Sequence, residues 1–368
     1  LVNGEVSISK LRDVEVEDLL GREPISVDMD SILGYVQGKT VLVTGGGGSI
    51  GSELCRQIAQ HKPKRLVILD IYENNVYDVQ QELKMKHPEL DLVVLIASVR
   101  NTNRMNWIFS NYRPDIVYHA AAHKHVPLME DSPTEAVKNN VFGTFKTAQA
   151  AAMSGAGRFV MISTDKAVNP VNLYGGTKLV SDKLFVAANA YAGVKDINFS
   201  IVRYGNVAGS RGSVIPLFHK LIKEGAKELP ITDVRMTRFW ISLTQGVELV
   251  IKALAEATGG ETFISKIPSF KITDLAEAML PGCSIRETGI RPGEKLHEIM
   301  VTTEDSFTTY EYDKHFIVYP QMTWNNRQQP DLSGRKVEEG FSYSSGTNTE
   351  WLSVEDIREL LKGVELEK

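Results

Sequence analysis

Six short apolar runs, separated by segments long enough for a helix, constrain this chain more than any other feature. Thr40–Thr44, Arg65–Asp70, Leu92–Ile96, Ile116–His119, Arg158–Ser163 and Asn198–Arg203 are rich in aliphatic and β-branched residues and show no strict in–out alternation. Runs of this kind read as strands buried on both faces, which requires a parallel sheet covered by helices on either side. The segments Ser52–Gln60, Glu73–His87 and Thr134–Ser154 are long enough to supply crossovers. The pattern predicts an α/β fold with a doubly wound parallel sheet. Beyond about Gly209 the rhythm loosens, and proline, glycine and charge become frequent. We expect an arm over residues 1–37, a sheet domain over 38–208, and mainly a smaller C-terminal lobe and tail over 209–368, with segments free to return to the sheet domain.

The first run leads into Thr44-Gly45-Gly46-Gly47-Gly48-Ser49-Ile50-Gly51, which opens a helix. Gly45 permits a tight turn, and Gly48 lets the backbone approach a pyrophosphate. Gly51 allows close helix–strand packing, and the helix N-terminus at Ser49 and Ile50 supplies amide donors. No Gly-Lys-Ser/Thr follows, so this is not a P-loop. Between strand and helix, it reads as the phosphate turn of a Rossmann-type dinucleotide domain. Asp70 closes the second run, where an acid accepts hydrogen bonds from the adenosine ribose. Ile71-Tyr72-Glu73 brings no cation for a 2′-phosphate, so NAD is favoured over NADP. Ala120, Ala121 and Ala122 follow the fourth run and leave room for the cofactor over the sheet edge.

The fifth run ends in Ser163-Thr164-Asp165-Lys166, eight residues before Tyr174-Gly175-Gly176-Thr177-Lys178. On a helix, Tyr174 and Lys178 share one face. Tyrosine is a poor base near neutrality, with a pKa of about 10, and lowering it by about 3 units needs ~4 kcal/mol. Tyr174 and Lys178 are also expected to border the cofactor, with Lys178 holding the nicotinamide ribose. Its ammonium and a cationic nicotinamide are expected to supply this stabilisation, so that Tyr174 takes a proton from a sugar hydroxyl as hydride leaves. Asp165 and Lys166 add an acid and a base that simple hydride transfer does not require. Thr164 can bond the hydroxyl being oxidised, Asp165 can protonate a leaving hydroxyl, and Lys166 can remove a carbon-bound proton beside a ketone. The last two roles are open to exchange.

Several other classes are disfavoured. The net charge of −5 argues against a nucleic-acid partner. Cys55 and Cys283 are far apart and lack metal-ligand spacing, which suits a reduced, cytoplasmic protein. No apolar run approaches the roughly 20 residues of a membrane helix, so no membrane segment is expected in this chain. His123 and His125 lack further ligands at metal-site spacing. His297-Glu298 begins like a zinc-protease motif, but Val301 stands at its second histidine position, so no metal is expected.

Thr164-Asp165-Lys166-Ala-Val-Asn-Pro170 followed by Asn172-Leu-Tyr174-Gly-Gly-Thr-Lys178 resembles the UDP-N-acetylglucosamine 4,6-dehydratases, a branch of the extended short-chain dehydrogenase/reductases. His119-Ala-Ala-Ala-His-Lys-His-Val-Pro127, Asn140-Val-Phe-Gly-Thr144 and Arg203-Tyr-Gly-Asn-Val207 continue the likeness. So do Ser210-Arg-Gly-Ser-Val-Ile-Pro216, Met236-Thr-Arg-Phe239 and Arg291-Pro-Gly-Glu-Lys295, and it spans about Lys39 to Leu361. The resemblance implies an NAD-retaining hydro-lyase acting on UDP-N-acetylglucosamine, with Asn140 among its cofactor residues. It also implies a pocket in which Arg238 and Arg291 clamp phosphate, Glu294 accepts from a ribose hydroxyl, Asn206, Ser213 and Val214 touch the nucleotide, and Lys124 faces the sugar. A homo-oligomer, dimer or hexamer, is implied as well. The arm, with Leu19-Leu20-Gly21-Arg22-Glu23-Pro24, is similar to the cytoplasmic part of large membrane-anchored relatives, which often have Met in place of Tyr174. Tyr174 and the tail Phe341-Ser-Tyr-Ser-Ser345 with Trp351-Leu352 look more like soluble enzymes that also invert C5. The alternatives are a UDP-sugar 4-epimerase or reductase, which does not need Asp165 and Lys166, and a non-catalytic nucleotide-sensing scaffold.

Overall fold

The computed structural model describes residues 34–191, 197–210, 212–322, 330 and 332–364. The sequence reading of the arm lies outside these residues, apart from a short 3-10 turn at Gly34–Val36. The six runs form β1 (Thr40–Thr44), β2 (Arg65–Asp70), β3 (Leu92–Ile96), β4 (Ile116–His119), β5 (Arg158–Thr164) and β6 (Asn198–Tyr204). They align in parallel in the order β3-β2-β1-β4-β5-β6. The sheet continues into the second half of the chain. Strand β9 (Thr262–Ser265) adds parallel to β6, and β14 (His315–Val318), β13 (Thr309–Glu311) and β15 (Arg335–Lys336) extend it antiparallel.

Alternate residues of each central strand enter opposite cores, because successive Cβ atoms point to opposite faces. On one face Val41, Val43, Leu66 and Ile68 meet Leu54, Cys55 and Ile58 of α1 (Ser49–Gln60). On the other, Leu42, Val67, Phe159 and Phe199 meet Met105 and Phe109 of a helix over Thr102–Tyr112 and Phe185 of the helix over Leu173–Tyr191. This double burial explains the continuous apolar runs. Leu92–Ile96 departs from the expectation. It is the edge strand, its first four residues are only half-buried and Ile96 is exposed. The expected crossover over 134–154 is also not one α-helix. A π-helical stretch, Val137–Gly143, separates Pro133–Ala136 from Thr144–Ser154.

A third core forms the smaller lobe, where Phe218, Leu229, Trp240, Phe270 and Leu275 pack with Leu352, Ile357 and Leu360. Small sheets cross-link it. Strand β7 (Glu228–Ile231) pairs with β11 (Ser284–Glu287), β8 (Thr237–Phe239) with β10 (Ser269–Lys271), and β12 (Ile299–Val301) with β16 (Tyr343–Ser344). The lobe lies against the carboxyl ends of β5 and β6 through Asn172 Nδ2, which donates to the Gly293 carbonyl at 2.8 Å, and Arg203, which donates to the Met300 carbonyl at 2.7 Å.

Phe185 connects this packing to the helix that carries Tyr174 and Lys178. Its ring meets Phe159 edge-on at 4.8 Å and Phe199 at 5.1 Å. Phe185→Ala is expected to destabilise the protein by about 3–5 kcal/mol, read as an earlier urea midpoint. Val180→Ala, at an exposed position of the same helix, leaves the midpoint within about 0.5 kcal/mol. Equal midpoints for the two variants would contradict this account.

Candidate active site

A cavity of about 350 Å³ opens at the carboxyl ends of β1 and β4, where strand order reverses. Gly45, Gly48, Ser49, Asp70 and Ala120, Ala121 and Ala122 line it. Gly45 has φ +72°, and a Cβ there would stand 2.6 Å from the Ala121 nitrogen. Gly51 lies behind the wall, where a Cβ would stand 2.1 Å from the Gly45 carbonyl oxygen, and Ile50 packs toward the core. Asp70 clamps the glycine turn by accepting from the Gly47 N–H at 2.9 Å. Its other oxygen accepts from the Ile71 and Tyr72 amides at 2.7 and 3.0 Å. Turn amides at a helix N-terminus, a carboxylate and a floor of alanines fit a dinucleotide.

Asn140 is not on this cavity's wall; its neighbour Asn139 is. The buried Asn140 amide accepts from the His123 N–H at 2.8 Å and donates to the His123 carbonyl at 3.0 Å and the Thr177 hydroxyl at 3.1 Å. It therefore joins the cavity loop to the Tyr174 helix. His119 is sealed between the Thr44 and Thr144 hydroxyls at 2.7 and 2.9 Å, and burial pushes its pKa down to about 3, so it stays neutral.

Thr164 ends β5, and Asp165–Ala167 forms one 3-10 turn. The Thr164 hydroxyl accepts from the Lys166 N–H at 3.3 Å and donates to Asp165 Oδ1 at 2.8 Å. Lys166 Nζ donates to the same Asp165 oxygen at 3.0 Å and to Asn206 Oδ1 at 3.1 Å. The Tyr174 helix starts directly above this turn, with Asn172 Oδ1 accepting the Gly175 N–H at 2.7 Å. A Cβ on Gly175 would lie 2.1 Å from the Lys166 carbonyl oxygen, so only glycine lets helix and turn approach this closely.

Tyr174 and Lys178 are both buried, one turn apart. Burial pushes the Tyr174 phenol up to about 12, while Lys166 and the Thr164 hydroxyl pull it down. Lys178 Nζ donates to the Ile162 carbonyl at 2.9 Å, burial lowers its own pKa, and Asp182 partly offsets that. Lys166 is thus a cation whose charge favours the phenolate. Burial pulls Lys166 itself down, but Asp165 and Glu298 more than offset this and hold it above the usual lysine range.

A second cavity, of about 700 Å³, separates the sheet from the smaller lobe. Lys166, Asn206, Ser213, Val214, Arg238, Arg291 and Glu294 all line it, and Lys124 lines both cavities. Arg238 is largely engaged by backbone, donating to the carbonyls of Thr237, Leu296 and Lys295 at 2.7, 3.1 and 3.1 Å. Arg291 is exposed at the rim, and Glu294 accepts from its N–H at 3.3 Å. Two cavity residues escaped the sequence reading. Lys295 donates to the Val168 carbonyl, and burial lowers its pKa. The buried Glu298 lies 3.8 Å from Lys166 Nζ and 3.7 Å from Arg238 Nε. The signal lies in the sequence, where Arg291-Pro-Gly-Glu-Lys295 runs straight into His297-Glu298, a pair that also begins like a zinc-protease motif. Among the described residues, no cluster of His, Cys, Asp or Glu is arranged to hold a metal ion, and no helix is long and apolar enough to cross a membrane.

Residues 41–320 match the model of a family described as polysaccharide biosynthesis protein. The chain is 45% identical over 335 residues to the UDP-N-acetylglucosamine 4,6-dehydratase (inverting) of Campylobacter jejuni subsp. jejuni serotype O:2, covering 89% of this chain and 98% of that protein. It is 42% identical over 323 residues to capsular polysaccharide biosynthesis protein CapD of Staphylococcus aureus, covering 85% of this chain and 53% of that one. The crystal structure of Pen from Bacillus thuringiensis superposes with a TM-score of 0.80 at 35% identity, covering 90% of this chain and 99% of that chain. The chain belongs to this polysaccharide-biosynthesis family, within the extended short-chain dehydrogenase/reductases.

The Gly175 contact yields a test of the geometry. Gly175→Ala must push the Tyr174 helix off the Lys166 turn, and a displacement of about 1 Å is expected to lower turnover on the family's sugar nucleotides by about 100-fold. The glycine turn itself is not in contact with Gly175, so dinucleotide binding is expected to fall far less than turnover. Unaltered turnover would show that the close approach has no bearing on catalysis.

Proposed function

We propose that this chain is a hydro-lyase that converts UDP-N-acetylglucosamine to a UDP-4-keto-6-deoxy-N-acetylhexosamine, with inversion at C5. The observation that carries this reading is the joining of Thr164, Asp165, Lys166 and Tyr174 into one cluster beside the dinucleotide turn. A 4-epimerase or reductase needs Tyr174 and Lys178 but has no use for a buried carboxylate bridged to a lysine at 3.0 Å. The name of the Campylobacter relative supports both the substrate and the inversion.

NAD, when bound at the glycine turn, supplies a reversible hydride acceptor that receives from C4 and returns to C6. Tyr174 takes the O4 proton, and Thr164 orients that oxygen. The new ketone acidifies C5–H. Asp165 and Lys166 begin as carboxylate and ammonium. Passing their bridging proton to Asp165 leaves an amine beside an acid. The amine takes the C5 proton, and the acid protonates the departing O6 hydroxyl, which restores both starting charges. The departing water carries the pair's proton, the C5 proton replaces it on Lys166, and the O4 proton held by Tyr174 balances the one that returns to C5. Its return on the opposite face inverts that centre.

In this reading Arg291, Arg238 and Lys124 meet the diphosphate and sugar, because fixed cations match phosphate oxygens. Glu294, Asn206, Ser213 and Val214 contact the nucleoside. NAD over NADP is supported by Asp70, whose carboxylate lines the cavity where a 2′-phosphate would be repelled. The unpaired Cys55 and Cys283 support a cytoplasmic enzyme, and the resemblance supports a homo-oligomer.

Incubation with UDP-N-acetylglucosamine and no added reductant is expected to give a product lighter by one water. Mass spectrometry checks this, and an unchanged mass would favour epimerisation instead. Proton NMR of the fresh product should show the ring couplings of the C5-inverted ketosugar. Asp165→Asn is expected to slow water loss by about 100-fold or more while the protein keeps its dinucleotide. Near-normal dehydration by that variant would remove Asp165 from the mechanism.

A further inference from the structure

We propose that Glu298 is a positioning residue for the elimination step, anchoring the lysine end of the Asp165–Lys166 pair and the adjoining Arg238; this rests on the dehydratase reading above. Glu298 is 3% exposed and immediately precedes β12. Its backbone is tied down on both sides, donating to Ser345 Oγ at 2.9 Å and accepting from the Ser345 N–H at 2.8 Å. One carboxylate oxygen faces Lys166 Nζ at 3.8 Å and Arg238 Nε at 3.7 Å. The other is buried with no hydrogen-bond partner among the described residues. A carboxylate so deeply buried is costly unless cations neutralise it. At these separations it acts through charge and not through a short hydrogen bond.

The placement answers a mechanical problem in the proposed chemistry. When the bridging proton moves to Asp165, that residue ceases to be an anion and loosens its hold on Lys166. Glu298 remains charged, so it recaptures the ammonium as it re-forms and keeps the nitrogen in register with C5. Arg238 of β8, Lys295 of the preceding loop and Tyr174 face the same cluster. Lys166 is thereby held between two anions, Asp165 at 3.0 Å and Glu298 at 3.8 Å, against the opposing charge of Arg238.

The test uses the dinucleotide-loaded enzyme and its Glu298→Gln variant. Rapid mixing with UDP-N-acetylglucosamine follows C4 oxidation by nicotinamide absorbance, and quenched samples follow water loss by mass. C4 oxidation is expected to stay within about twofold while water loss slows about tenfold or more, so reduced cofactor accumulates. Removing the negative charge lets Lys166 release its proton more readily. The rising limb of the water-loss pH profile should therefore move to lower pH by about one unit. Glu298→Asp keeps the charge and should return the limb to its wild-type position. Unchanged water loss and an unmoved limb would overturn the proposal, as would equal slowing of both steps with an unmoved limb, the mark of a purely structural role. If Glu298→Gln does not fold, Glu298→Asp decides alone, because its retracted carboxylate must slow water loss with oxidation intact. A wild-type enzyme that oxidises the sugar yet never releases water would instead sink the dehydratase reading.

Discussion

A hydrogen atom in place of a side chain brings the two halves of this site together. The Cα of Gly175 sits on the Lys166 carbonyl, at a distance no Cβ survives. That contact sets the Tyr174 helix directly over the turn that ends β5. The phenol, the Thr164 hydroxyl, the Asp165 carboxylate and the Lys166 ammonium then share one environment. Asn172 reinforces the contact from both directions, accepting from Gly175 and donating to Gly293 of the smaller lobe. The approach of helix to turn and of lobe to sheet is thus one construction.

Electrostatics follows from that construction. Burial alone disfavours every charged form here, raising tyrosine and lowering lysine. Lys178 and Lys295 yield to it, and their pKa values fall. Lys166 does not, because two carboxylates outweigh its desolvation. Lysines within one site are thereby set apart by their neighbours, which is the arrangement an acid–base sequence needs.

Much of the fold was legible in the sequence, because a strand buried on both faces leaves a continuous apolar run. Those runs located β1 to β6 to within a residue at either end. Leu92–Ile96 carries the same composition yet forms an edge, since a run of aliphatics does not say which strand has only one neighbour. The π-helical turn at Val137–Gly143 was illegible for a similar reason: its residues suit an α-helix equally well. Asn140 illustrates the limit at the site. Its motif pointed to the cofactor, whereas its amide spends its hydrogen bonds on His123 and Thr177.

Local chemistry in the sequence determined the glycine turn, the acid at the end of β2 and the Tyr174–Lys178 spacing, because each depends on residues within one strand–turn–helix unit. Tertiary structure alone decided that Glu298 belongs beside Lys166. That outcome depends on the approach of segments more than 100 residues apart, which leaves 3.8 Å between Lys166 and Glu298. Charge interactions at that range follow from how the smaller lobe closes on the sheet, and no spacing along the chain encodes them.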